Sequence, residues 1–155
     1  MPENFDSGAL DFLIKAEEKL VEEYDSMMNT ANMDNIRRFL DLFRMANKSI
    51  LKDLRSMTSP GATEKRVQLD QTPYLHATEH LHKDQFTDLN SLRSVLLFIT
   101  EKERASFSTF SSNMDKIKNP LLKDNLIQVL KKKENLRVRA DTLYNDLVMA
   151  PKQLT

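Results

Sequence analysis

Cysteine and tryptophan are absent from this 155-residue chain, and glycine occurs only twice. Without cysteine there is no disulfide framework, thiol nucleophile, iron–sulfur cluster or thiolate zinc site. Two glycines, Gly8 and Gly61, cannot build a glycine-rich phosphate loop. No Gly-x-Ser-x-Gly elbow is present either, so hydrolase, kinase and dehydrogenase readings lack their machinery. Neither sign of charge is in excess, with 23 basic and 23 acidic residues. Nucleic acid and anionic membrane are therefore not expected as partners, because phosphate binding needs a basic patch. No apolar run approaches the roughly 20 residues of a membrane span. The first residues are polar and acidic and do not read as a secretory signal, so a cytoplasmic location is the expectation.

What the chain does have is apolar residues spaced at threes and fours, the mark of amphipathic helices. Four long helices are expected, at about 7–31, 33–57, 88–117 and 120–149. Ser7 reads as the cap of the first, and Asn119-Pro120 as a cap followed by proline at the first helical position of the last. Each helix of about 25 residues would be roughly 38 Å long. The first two helices are joined tightly, as are the last two, so each pair reads as an antiparallel hairpin. Between the hairpins lies a long crossover, 58–87, containing Pro60, Gly61 and Pro73. The expected fold is all-α: a four-helix bundle with one long crossover, the ferritin-like topology.

A glutamate interrupts the apolar stripe of both hairpins. Glu17 lies among Leu10, Leu13, Val21, Tyr24 and Met28, and Glu103 among Leu96, Ile99, Phe107, Phe110 and Met114. One constant shift superimposes Leu10 on Leu96, Glu17 on Glu103, Tyr24 on Phe110 and Met28 on Met114. A carboxylate on a buried face must find a cation, a proton or a donor, because its charge has lost water. Tyr24 and Phe110 read as core packing. The run Lys131-Lys132-Lys133 reads as the solvated side of the last helix, and the methionines, Met27, Met28 and Met45 among them, as core filling.

These features resemble the rubrerythrin-like proteins of the ferritin-like superfamily. Glu103 lies seven residues before Phe110, Glu17 seven before Tyr24, and the Pro-opened last helix places Leu130 four residues before Glu134. Members of that superfamily hold two irons with one glutamate from each of the first and third helices. A Glu-x-x-His pair from each of the other two completes the set. The resemblance matches Glu17, Glu103 and Glu134 to ligand positions, as vestigial metal-site candidates. The position three beyond Glu134 is Arg137 instead of histidine. On the second helix the matching residues are Ala46 and Ser49, or Asn47 and Ile50, depending on register, and none is a ligand. Guanidinium cannot coordinate a metal and offers a rigid fork of donors to carboxylates. The expectation is therefore that Arg137 occupies the emptied centre, pairing with Glu134, Glu103 and Glu17, with Asp141 at the outer end of a buried ion cluster.

The resemblance implies a homodimer and, with its iron site degraded, a non-catalytic binding or structural module with no cofactor and no catalytic residues. The alternative is an iron- or manganese-dependent oxidoreductase with a reduced ligand set. A weaker metal site is conceivable in the crossover, where His76 and His80 stand four apart with Glu79 beside them, though exposed histidines are the plainer reading.

Overall fold

The structure, a computed structural model, describes residues 2–31, 34–58 and 89–149. They form an all-α four-helix bundle: α1 (Pro2–Thr30), α2 (Asp34–Ser56), α3 (Leu89–Asn113) and α4 (Pro120–Tyr144). A 3-10 turn, Met114–Lys116, continues α3, and a π-helical turn, Asn145–Met149, continues α4. No helix among the described residues is long and apolar enough to cross a membrane. The segment between α2 and α3, with the expected crossover and its residues His76, Glu79 and His80, lies outside the described residues.

Each helix buries one stripe. In α4 the inward residues are Leu122, Leu126, Val129, Lys133, Leu136, Ala140 and Leu143, alternating steps of three and four. In α2 the corresponding stripe carries Ile36, Phe39, Leu40, Phe43, Ala46, Ile50 and Leu54. Phe39, Phe43 and Phe110 are fully buried between the helices, and truncating such a ring to alanine costs about 3–5 kcal/mol. The α4 N-terminus is capped as the sequence indicates. The Asn119 side chain accepts a hydrogen bond from the Leu122 N–H at 2.9 Å, and Pro120 opens the helix.

Ser7 is not a cap. α1 begins at Pro2, and Ser7 is an exposed residue within it. Proline suits the first position of a helix, where its missing N–H has no intrahelical partner to lose. The early start places Asp6 inside the helix, where it serves a different purpose. Its carboxylate accepts from the Lys118 N–H at 2.7 Å and the Asn119 N–H at 2.8 Å, at the junction of α3 and α4. Near the other end of α1, Glu23 pairs with Lys102, and Tyr24 bonds Glu103. α1 and α3 therefore run in opposite directions. α1 packs along α2 and α3 along α4, and the two hairpins meet through α1–α3, α2–α3 and α2–α4 contacts.

Asp6 is buried and satisfies two backbone donors with one charged group. Asp6→Ala should destabilise the bundle by on the order of 2–3 kcal/mol in urea unfolding, since hydrogen bonds to charged groups are the stronger kind. Asn119→Ala, which removes one cap, should cost only about 1 kcal/mol.

Candidate functional site

Midway along the bundle, five polar side chains from all four helices meet in an otherwise apolar core. Glu17 and Tyr24 come from α1, Asn47 from α2, Glu103 from α3 and Lys133 from α4, and each is fully buried. The helical stripes explain their placement, because every one occupies a position where its helix would otherwise present an apolar residue to the centre.

The contacts form a chain. Lys133 Nζ is ion-paired with Glu17 Oε2 and donates to Asn47 Oδ1 at 2.7 Å. Asn47 Nδ2 donates to Glu103 Oε2 at 3.0 Å and to the Phe43 carbonyl at 2.9 Å. Tyr24 Oη donates to the same Glu103 oxygen at 2.5 Å. Donor and acceptor identities fix the orientation of the Asn47 amide: its oxygen faces an ammonium, which can only donate, and its nitrogen faces two acceptors. The Lys133 ammonium also lies 4.9 Å from the centre of the Phe110 ring, within cation–π range. Tyr24 packs edge-on against Phe98 with ring centres 5.8 Å apart.

The two carboxylates are not equivalent. Burial raises both above the ordinary range, and Lys133 pulls each back down. Glu103 is helped further by the Tyr24 and Asn47 donors. Glu17 has only the ammonium as a partner and feels the Glu103 charge as well. Its pKa is pushed up to about 7. Burial and then Glu103 hold the Tyr24 phenol well above its usual range, so it stays a proton donor. Among the described residues, Glu17 Oε1 and Glu103 Oε1 have no hydrogen-bond partner.

The residue at the centre is Lys133, where the sequence reading expected Arg137. Arg137 is partly exposed at the bundle flank, its guanidinium 5.1 Å from the Phe107 ring and 3.7 Å from Asp141. Glu134 is exposed and takes no part in the centre. The cause is helical phase: the inward steps of α4 run Leu126, Val129, Lys133, Leu136, so 133 points inward and 134 points out. By the same phase Lys133 is fully buried instead of solvated with its neighbours. Asp141 is held chiefly by Arg104, at 3.0 Å, and ties α3 to α4 outside the core. Lys132 reaches Asp53 at 3.1 Å and ties α4 to α2. On α2 the inward register is the one that places Asn47 at the centre.

Sequence spacing assigned Lys133 to the solvated face and left Asn47 as one of two register choices, yet the repeat contains both. They lie 86 residues apart, the shift that carries Glu17 onto Glu103. The same shift carries the first residue of α2, Asp34, onto the first residue of α4, Pro120. The centre is thus two copies of one cradle, a glutamate and its hairpin partner, with asparagine in one copy and lysine in the other.

A pair of irons does not fit this donor set. A cation that cannot ligate stands against Glu17, and the described residues include no histidine. Among the described residues, no group of three or more His, Cys, Asp or Glu side chains is placed to hold a metal ion. Comparison with protein-family models, curated proteins and solved structures finds no match to this chain.

The Glu17 pKa sets a pH dependence. Between the ordinary value of 4.5 and about 7, the folded state holds a proton on Glu17 that the unfolded chain releases. The fold should therefore gain stability as pH falls through that window, by on the order of 3 kcal/mol, with no further gain from this group below it. Urea unfolding at about pH 8, 6 and 5 measures the rise. Glu17→Gln cannot titrate and should flatten it, leaving only the same-signed contribution of Glu103.

Proposed function

We propose that this protein is a ferritin-like, rubrerythrin-like bundle whose di-iron centre has been replaced by a lysine-centred ion network. In this reading it serves as a non-catalytic helical binding or structural module, assembled as a cytoplasmic homodimer. The observation that carries the proposal is the seat of Lys133. Its ammonium is paired with Glu17 and joined through Asn47 to Glu103, the two carboxylates that the resemblance matches to iron ligands. A fixed positive charge there opposes a second cation by direct repulsion, strongest where water is excluded. Asn47 reinforces this, because its amide spans from the ammonium to Glu103 and occupies the space between them. The homodimer rests on the resemblance; exposed Phe12, Leu97 and Val138 offer apolar surface for it.

Anaerobic titration with ferrous iron tests the proposal. No stoichiometric binding at the centre is expected, and exposure to oxygen or peroxide should produce no ligand-to-metal absorption band. Two irons bound per chain, with such a band, would instead establish the reduced-ligand oxidoreductase.

The charge role of Lys133 has its own test. Lys133→Met leaves two buried carboxylates without their cation and should cost about 3–5 kcal/mol at neutral pH. The deficit should shrink in acid as those carboxylates take up protons. Arg137→Met, at the flank, should cost less than about 1 kcal/mol. Equal losses for the two variants in parallel melting curves would contradict the assignment.

A further inference from the structure

The chain of contacts at the centre sets a primary amine against a carboxamide, with a carboxylate at each end and no solvent exposure. Lys133 Nζ is 2.7 Å from Asn47 Oδ1, Glu17 contacts the amine, and Glu103 Oε2 is 3.0 Å from the amide nitrogen. We propose that this centre is a modification site at which Lys133 and Asn47 join in an isopeptide bond, covalently stapling α4 to α2.

The chemistry balances without any co-reactant. Glu17 takes one proton from the Lys133 ammonium, leaving a neutral amine and a neutral carboxylic acid. The amine lone pair attacks Asn47 Cγ, forming the Nζ–Cγ bond. The Cγ–Nδ2 bond then breaks, and the proton given up by Nζ leaves with Nδ2 as ammonia. Glu103, hydrogen-bonded to that nitrogen, is placed to relay the proton. The net charge of the centre does not change: one ammonium with two carboxylates becomes a neutral amide, one carboxylic acid and one carboxylate. The raised pKa of Glu17 suits it to keep the proton it receives.

Three features favour reaction over a resting hydrogen bond. The amide is clamped at Nδ2 by the Phe43 carbonyl and Glu103, so its carbon is held still for attack. The aromatic face of Phe110 and the surrounding apolar core exclude the water that would otherwise solvate the ammonium. The amine is already in contact with the amide, 2.7 Å from its oxygen, so the two reacting groups need no long approach. The bond forms from the ion-paired state described above and replaces its positive charge with a neutral amide that fills the same space; an unreacted Lys133 leaves the lost-iron reading untouched.

Intact-mass measurement of the full-length protein, after folding and incubation at neutral pH, tests the proposal. The expected result is a mass lower than the sequence mass by one ammonia. Digestion should also release a branched peptide containing both Lys133 and Asn47, identified by tandem mass spectrometry. Lys133→Arg and Asn47→Ala should each abolish the loss, and Glu17→Gln should slow it by about a hundredfold or more, as expected for removal of a proton acceptor. An unchanged mass in folded wild-type protein after prolonged warm incubation would overturn the proposal. Ammonia loss that persists in Lys133→Arg, with only linear peptides, would overturn it too, since it would signify cyclisation of an asparagine onto its own backbone.

Discussion

The bundle depends on how two carboxylates are kept inside it. Glu17 and Glu103 sit where a four-helix core would ordinarily hold leucine, and each is shut off from water. Removing an ionised carboxylate from water costs several kcal/mol even after relaxation. Attraction to a single ammonium offsets part of that, and hydrogen bonds must supply the rest. Glu103 receives both of the neutral donors, and Glu17 receives the charge. The division explains why Glu17 is the group that titrates near neutrality. A carboxylate with an ion pair alone is less well held than one with an ion and two hydrogen bonds.

Lysine suits this place better than arginine for reasons of size and hydration. An ammonium is a compact charge with three rotatable donors, and it can face Glu17, Asn47 and the Phe110 ring together. A guanidinium is flat and holds its donors in one plane, so it cannot face these three groups in the same way. At the flank that shape is useful instead. Arg137 lies against Phe107, and Arg104 grips Asp141 with two nitrogens. The outer pairs tie helix to helix with charge that water still screens, so each contributes little alone. The inner network lies beyond the reach of water, so losing one of its charges costs more than losing an outer pair.

Much of this was legible in the sequence. The four helices, their hairpin pairing, the Asn119-Pro120 start of α4 and the two inward glutamates all follow from three-and-four spacing and cap chemistry. The identity of the compensating cation did not follow, because Lys133 stands in a run of three lysines. A lysine run looks like a solvated face unless the stripe is counted from Leu126 and Val129. Asn47 was hidden for a different reason: asparagine is neutral and carries no signal of its own, and only its partner across the core reveals its use. Asp6 illustrates a third limit. Its two bonds to the α3–α4 junction join residues 112 and 113 positions apart, and no local pattern points so far along the chain.

The repeat explains why the two hairpins are not identical at their centre. Two copies of the same cradle, each with asparagine opposite its glutamate, would leave two buried carboxylates and no cation. Two copies with lysine would balance the charge but would bury a second ammonium, whose desolvation has its own cost. One lysine and one asparagine resolve both problems. The lysine supplies the charge, and the asparagine, being donor and acceptor at once, carries its influence across to the second glutamate. The remaining imbalance of one negative charge is small enough for a single proton to remove, and Glu17, its pKa pushed up to about 7, is the residue that takes it up as pH falls. The register of the repeat has therefore been kept while the symmetry of its chemistry has been broken, because one cation must serve two carboxylates.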